Sequence, residues 1–288
     1  MPLVSMKQVL ERAYHKHYAV GSFNVVNLHF LEAIVGTAMA KNSPVILSIA
    51  EAHYPYVTPE NIVPAIQALA ARTSLDIVLN LDHGLTMKGI ERAIDNGFTN
   101  IMFDGSQLEF EENIRQTRQV VEICHPLGIS VEAELGAVGG SEGGDLEGEA
   151  DPSKYTNVEQ ARIFVEETKV DFLAIAFGNS HGKYKGEPDL DFERLKQLRD
   201  ITGIPLVLHG GSGISPEDFR RAISLGIAKI NFYTGMSQAA LQSMTSYLNN
   251  AGKVYDDYVI MMKQAHQAVG EVVGKQMDIF GSTGQGRR

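Results

Sequence analysis

Three apolar segments of this sequence end in histidine next to glycine. Asp82 and His83 follow the apolar run 77–81, His181 lies within 178–182, and His209 follows the run 205–208. Neutral imidazoles are common zinc ligands, and a catalytic zinc site commonly has three protein ligands and one open position. The three histidines are far apart in the chain, so a metal site requires a fold that brings the three segment ends together.

Apolar and amphipathic segments alternate along the whole chain, which indicates repeated strand–helix units. This alternation favours a closed parallel barrel over an open doubly wound sheet, and no Gly-x-Gly-x-x-Gly turn follows the first strand. The length of 288 residues fits one such barrel. The predicted strands are 18–24, 44–49, 77–81, 100–103, 130–135, 171–177, 205–208 and 228–232, and the predicted helices are 6–15, 29–41, 59–72, 87–96, 111–125, 158–168, 192–202 and 216–225.

We therefore predict an α/β protein with a single-domain (β/α)8 TIM barrel over residues 1–288. Two further helical patterns, 237–250 and 254–277, follow the last strand, and we expect a flexible polar tail over 281–288. A glycine-rich and acidic stretch, 136–150, follows the fifth predicted strand and is predicted to be a mobile loop.

The composition indicates an acidic globular protein, with 44% hydrophobic residues, 21% charged residues and a formal net charge of -10. This acidity argues against a general nucleic-acid or anionic-membrane surface. No apolar run approaches the roughly 20 residues of a membrane span, and no secretory signal pattern is visible at the N-terminus. The single Cys124 fits a reducing compartment. We expect a cytoplasmic protein with neither nucleic-acid nor membrane partners.

Polar residues are predicted at the carboxyl ends of seven of the eight strands, the end where barrel enzymes carry their catalytic residues. Each alone has an ordinary structural explanation, because strand-end histidines often form structural hydrogen bonds and strand-end Asp or Asn often caps a helix. Several of them at one barrel opening favour a functional site. They are Asn24, Asp82, His83, Asp104, Glu132, Glu134, His181, His209 and Asn231, whereas His15, His17, His29, His125 and His266 are expected on the surface.

A glycine-rich segment, Gly210–Gly213, follows the seventh predicted strand, where barrels often bind phosphate. Ser215 and Pro216 read as the N-cap and first residue of a helix, whose N-terminus attracts anions. The segment could also be a tight turn without a ligand. Residues 231–235, after the eighth strand, could supply further amides.

Seven motifs, in order along almost the full chain, resemble the class II, zinc-dependent ketose-bisphosphate aldolases, the fructose- and tagatose-bisphosphate aldolase family. They lie at 21–25, 81–84, 103–106, 131–136 with 139–140, 179–184, 207–213 and 229–231.

The resemblance implies reversible cleavage of a phosphorylated ketose to dihydroxyacetone phosphate and an aldehyde. His83, His181 and His209 would bind Zn²⁺, which would polarise the ketose carbonyl and stabilise the enediolate, while Asp104 and Glu134 would support the metal or alternately bind it. Asp82 would be the general base on the C4 hydroxyl, and Glu142 would move protons at the enediolate carbon. The positions implied to contact the substrate are Asn24, Gly182, Lys185, Gly210, Gly211, Ser212, Asn231 and Thr234, with a monovalent cation (Na⁺ or K⁺) assisting.

Several positions depart from the family pattern, including Gly143 and Gly144, which follow Glu142 in place of another acid. Ala50 stands where a serine is common, Tyr233 replaces an acidic or small residue, and Gly235 replaces an acidic residue. These departures fall where the distal part of the substrate is expected, so the ketose, its C4 configuration and the number of phosphates stay open. The alternatives are a different ketose phosphate, a metal-binding homologue with altered or lost activity, and a Schiff-base aldolase using Lys229. The C-terminal helices and the resemblance also suggest a homo-oligomer.

Overall fold

Eight parallel strands close into a barrel in the computed structural model, which describes residues 3–140, 147–148, 150–184, 186–250 and 257–286. The predicted TIM barrel is therefore confirmed. The barrel strands are β1 (Val20–Asn24), β2 (Val45–Ala50), β3 (Ile77–Gly84), β4 (Asn100–Phe103), β5 (Ser130–Leu135), β7 (Phe172–Ile175), β9 (Leu206–Leu208) and β10 (Ile227–Asn231). The two-residue strands β6 (Glu147–Gly148) and β8 (Lys183–Tyr184) pair with each other outside the barrel. The order around the barrel is β1-β10-β9-β7-β5-β4-β3-β2.

The helices surround the barrel, and several begin at a residue whose side chain accepts a hydrogen bond from the first turn. Asn27, Thr86, Asn157, Asp191 and Ser215 cap helices in this way, which satisfies amides that have no partner within the helix. Within the described part of the chain, no helix is long and apolar enough to cross a membrane. The helices are α1 (Met6–Lys16), α2 (Leu28–Lys41), α3 (Pro59–Ala70), α4 (Met87–Asp95), α5 (Phe110–Cys124), α6 (Val158–Thr168), α7 (Phe192–Thr202), α8 (Pro216–Ser224), α9 (Thr234–Asn249) and α10 (Tyr258–Ile279).

Helix α1 closes the amino-terminal end of the barrel. Its buried residues Met6, Val9 and Leu10 belong to one apolar cluster with residues near the start of the strands, including Val20 and Val78. Side chains alternate between the two faces of a strand, so a second and larger core lies between the outer face of the sheet and the helices. The amino end is thus filled with apolar side chains, which leaves the carboxyl end for polar ones.

The last residues of the described chain are docked on the barrel. The amides of Gly284 and Gly286 donate to the carbonyl oxygens of Lys41 and Asn42 at 2.9 and 2.8 Å, and buried Ser282 lies 2.8 Å from the hydroxyl of Ser43. The C-terminal end of α2 has carbonyl groups without helical partners, and these contacts satisfy them. The flexible tail predicted for 281–288 is therefore wrong for residues 281–286, and residues 287–288 lie outside the described chain.

Candidate active site

The carboxyl-end opening of the barrel, called the mouth below, brings together the three histidines identified from the sequence. Nitrogen atoms of His83, His181 and His209 lie within 4.8 Å of one another. The ring centroid of His83 lies 4.8 Å from that of His209 and 5.1 Å from that of His181, and the ring centroids of His181 and His209 are 5.8 Å apart. Residues separated by up to 126 positions in the chain therefore form one cluster.

Carboxylates select which nitrogen of His83 and of His209 faces the centre of this cluster. His83 Nδ1 lies 2.7 Å from Asp104 Oδ2, and His209 Nε2 lies 3.0 Å from Glu132 Oε1. A carboxylate next to one ring nitrogen favours the proton on that nitrogen and leaves the other with a free lone pair. The two remaining nitrogens, His83 Nε2 and His209 Nδ1, lie 3.0 Å apart.

His181 completes the cluster. Both of its ring nitrogens are buried and have no hydrogen-bond partner among the residues that the structure describes. Burial lowers the pKa of His181 well below its usual value, and His83 and His209 lower it further. A neutral imidazole with an unpaired nitrogen beside two carboxylate-oriented imidazoles is a donor set that fits zinc.

A backbone irregularity turns His83 into the mouth. Neighbouring side chains on a regular strand point to opposite faces, so Asp82 and His83 would not both face the mouth. The register of β3 against β4 shifts between Leu81 and Gly84, and His83 has a φ of 45°. This left-handed conformation is uncommon outside glycine and occurs often at functional sites.

Asp82 is buried between two asparagine side chains. Asn24 Nδ2 donates to its Oδ2 and Asn231 Nδ2 donates to its Oδ1, both at 2.9 Å. Asn24 ends β1 and Asn231 ends β10, and these two strands are neighbours in the barrel. Amide donors on both oxygens favour the ionised carboxylate and fix its orientation.

A fully buried ion pair lies beside the histidine cluster. Lys229 Nζ lies 2.7 Å from Glu132 Oε2, and the other oxygen of Glu132 faces His209. Burial opposes ionisation of Glu132, but the charge of Lys229 and the contact with His209 hold the pKa of Glu132 below its usual value. A Schiff-base lysine must reach the substrate as a neutral amine, so this pairing disfavours that use of Lys229. The sequence placed Glu132 at the mouth without a role.

Two further acids, Asp104 and Glu134, lie beside His83, with one donor atom of each of the three residues within 4.8 Å of the others. Burial and the neighbouring Asp104 raise the pKa of Glu134 well above its usual value. Asp104 is also buried, yet the contact with His83 holds the pKa of Asp104 well below its usual value. One acid therefore favours the neutral form and the other the charged form.

The loops that follow β7, β9 and β10 contact one another at the carboxyl end of the barrel. Tyr184 donates from its hydroxyl to the carbonyl of Gly210 at 3.0 Å, and that hydroxyl accepts from the amide of Ser180 at 2.9 Å. Gly210 has a φ of 70°, and a side chain there would meet the carbonyl oxygen of Ser180 at 2.1 Å. Ser212 Oγ accepts from the amide of Gly235 at 3.0 Å. The glycine-rich segment is therefore closely packed against its neighbours.

The remaining positions identified from the sequence lie as follows. Gly182 has a φ of 82°, Thr234 begins α9, and Ser215 caps α8 by accepting from the amide of Asp218 at 3.1 Å. Glu142 and Lys185 lie outside the described residues.

A cavity of about 580 Å³ opens beside His83 and His181. Ala50, Ala52, Gln107 and Lys154 contribute to its walls. Ala50, which lacks the hydroxyl of the serine common at this position, thus lines a cavity next to the cluster. His53 lies three residues after Ala50 and is not among the residues that the sequence motifs predict for the site, but its position just after a barrel strand is a sequence signal for a site residue.

A closed barrel with an imidazole cluster and an amide-held carboxylate at its mouth defines a barrel enzyme with a candidate metal centre. The family model described as fructose-bisphosphate aldolase class-II matches residues 4–285, and the chain belongs to this family. It is an aldolase, a carbon–carbon lyase, as the sequence motifs predicted.

Similar proteins cover almost the whole chain. A fructose-bisphosphate aldolase of Geobacillus stearothermophilus is 42% identical over 99% of both chains, and one of Staphylococcus aureus (strain Mu50 / ATCC 700699) is 40% identical over 100% of both. Among solved structures, the YdjI aldolase from Escherichia coli K12 is 37% identical, with a TM-score of 0.88 over 99% of this chain and 100% of that chain. A putative fructose-1,6-biphosphate aldolase from Coccidioides immitis is 32% identical, with a TM-score of 0.85 over 97% of both chains.

Proposed function

We propose that this aldolase depends on zinc and reversibly cleaves a phosphorylated ketose, such as fructose- or tagatose-bisphosphate, to dihydroxyacetone phosphate and an aldehyde. The main support for this proposal is Asp82, whose carboxylate accepts hydrogen bonds from two asparagine side chains and which precedes His83, one of the three clustered histidines. His83, His181 and His209 would hold the zinc, with Asp104 and Glu132 orienting two of the rings. When bound, zinc supplies Lewis-acid polarisation of the ketose carbonyl.

Asp82 acts as the general base in cleavage. It accepts the proton of the C4 hydroxyl while the C3–C4 bond breaks, and in condensation it returns a proton to the aldehyde oxygen. Asn24 and Asn231 hold both of its oxygens, so the carboxylate keeps one orientation during the transfer. This positioning role adds to the substrate contacts expected of the two asparagines.

The phosphate of the substrate binds at the loops that follow β7, β9 and β10. Helix α9 begins at Thr234, and the positive end of its dipole favours an anion there, while the amide of Gly235 donates to Ser212 Oγ. Glycines let the backbone approach a phosphate closely, and a monovalent cation, Na⁺ or K⁺, assists there. The residues assigned to this role are Gly182, Lys185, Gly210, Gly211, Ser212, Asn231 and Thr234.

Glu142, Glu134 and Asp104 have separate proposed roles. Glu142 exchanges the proton at the carbon that becomes nucleophilic, and Glu134 with Asp104 offers an alternative metal position next to His83. The buried Oε2 of Glu134 has no hydrogen-bond partner within the described chain, which supports a ligand at this point.

Metal analysis combined with a cleavage assay tests this function. The purified protein is assayed on a panel of ketose phosphates before and after chelation, and then with zinc restored. We expect about one zinc per chain, loss of cleavage on chelation and recovery with zinc. Full activity of the metal-stripped protein would refute the zinc mechanism, and tight binding of dihydroxyacetone phosphate without turnover of any ketose would indicate a homologue that lost the activity.

We also propose a homo-oligomer in the cytoplasm. Leu241 and Leu248 on α9 and Tyr258 and Val259 on α10 are each at least 60% exposed, which supports burial of this surface against a second copy. Light scattering of the purified protein tests the oligomeric state.

A further inference from the structure

His53 and Tyr233 contact each other across the mouth. His53 ends a short 3-10 turn after β2, Tyr233 follows β10, and their ring centroids are 5.5 Å apart. Because β1 lies between β2 and β10, this contact crosses the carboxyl end of β1, where Asn24 donates to Asp82. The histidine ring therefore lies next to the proposed general base.

Hydrogen bonds to the first residue of the 3-10 turn, Glu51, hold the turn in place and so define the position of His53. Glu51, two residues earlier, accepts from the amides of Leu85 and Thr86 at 2.6 and 3.1 Å. These contacts attach the turn to the loop after β3, and the Tyr233 ring contacts the imidazole.

These contacts leave one ring nitrogen of His53 without a hydrogen-bond partner among the described residues. Its Nδ1 is buried and has no hydrogen-bond partner in the part of the chain that the structure describes. Buried polar atoms are nearly always paired, so an unpaired one at a mouth points to a ligand. Burial lowers the pKa of His53, and the charge of Asp82 opposes this shift. The imidazole is thus neutral near pH 7 and can donate or accept through Nδ1.

We propose that His53, supported by Tyr233, binds a hydroxyl group on the aldehyde half of the ketose. This inference rests on the proposed function. The phosphate-bearing half is directed to the loops after β9 and β10, and Asp82 acts at C4, so the carbons beyond C4 continue past Asp82. A hydroxyl both donates and accepts, and it therefore matches either tautomer of His53. An aldehyde without that hydroxyl would leave Nδ1 unpaired.

The test compares two acceptor aldehydes that differ by one hydroxyl, glycolaldehyde and acetaldehyde. The zinc-loaded protein condenses each with dihydroxyacetone phosphate, and the ratio of the two kcat/KM values is the readout. His53→Phe keeps a ring against Tyr233 but removes the nitrogen, His53→Asn keeps a polar atom near the position of Nδ1, and His15→Phe is a surface control. Thermal unfolding verifies that each variant is folded.

We expect the wild-type ratio to favour glycolaldehyde, and His53→Phe to reduce it by about 3- to 10-fold, the size of one neutral hydrogen bond. His53→Asn should retain most of the preference, and His15→Phe should match the wild type. A wild type with no preference, or an equal loss on both aldehydes in His53→Phe, would overturn the inference. Absence of condensation with every aldehyde, including D-glyceraldehyde 3-phosphate, would instead refute the proposed function.

Discussion

The buried pair of Glu132 and Lys229 gives the most quantitative prediction. Glu132→Gln keeps the shape of the side chain but leaves the charge of Lys229 buried without a counter-ion. Breaking a buried pair in this way costs about 3–5 kcal/mol. For 288 residues, with an unfolding entropy of about 2.1 cal/mol/K per residue, this lowers Tm by about 5–8 °C.

The same substitution should weaken metal binding, because Glu132 orients His209. Loss of such an outer contact typically costs about 10- to 100-fold in metal affinity. The double variant Glu132→Gln/Lys229→Met removes the uncompensated charge, so it should recover most of the stability but not the affinity for zinc. The two effects therefore separate in one pair of variants.

The assay measures thermal unfolding of chelator-treated protein, since bound metal would itself raise Tm. Zinc affinity is then measured by competition with a chelator of known affinity. An unchanged Tm in Glu132→Gln would show that Lys229 is not held as a buried cation. A double variant as unstable as the single one would show that packing, and not the unpaired charge, causes the loss.

Three further predictions address the base, the glycine-rich segment and pH. Asp82→Ala should keep its zinc while kcat for cleavage falls by about 10²- to 10⁴-fold, whereas His83→Ala should lose both; loss of zinc in Asp82→Ala would assign Asp82 to the metal site. Gly210→Ala should lower the unfolding free energy by about 1–3 kcal/mol more than Gly128→Ala, because both have a positive φ but only Gly210 meets a neighbouring backbone; equal losses in denaturant melts would contradict this. The pKa of Glu132 is lowered in the folded protein, so the stability that Glu132 contributes is present above its usual pKa and is lost as the pH falls through its folded pKa. The Tm of the metal-free wild type should therefore fall more between pH 6 and pH 3 than the Tm of Glu132→Gln/Lys229→Met. Parallel curves of Tm against pH for the two proteins would refute the assignment.

Much of the fold was predictable because its signals are local. The apolar runs and helical faces predicted all eight barrel strands, and the observed strand ends lie within two residues of the predicted ones except in β3, which continues to Gly84. That extension contains the bulge and the left-handed His83, which no periodic pattern indicates. The docked tail was missed for a related reason, since its partners Lys41 and Asn42 lie about 240 positions away.

The barrel and the residue types at its mouth follow from the sequence alone, because strand periodicity and chain order assign each polar residue to a strand end. How these residues act on one another depends on contacts between distant parts of the chain. Barrel closure places β10 beside β1, and this adjacency brings Asn231 to Asp82 and Tyr233 to His53. Side-chain contacts then determine which nitrogen of His83 and His209 faces the cluster, since the other nitrogen of each ring lies against a carboxylate from a different part of the barrel.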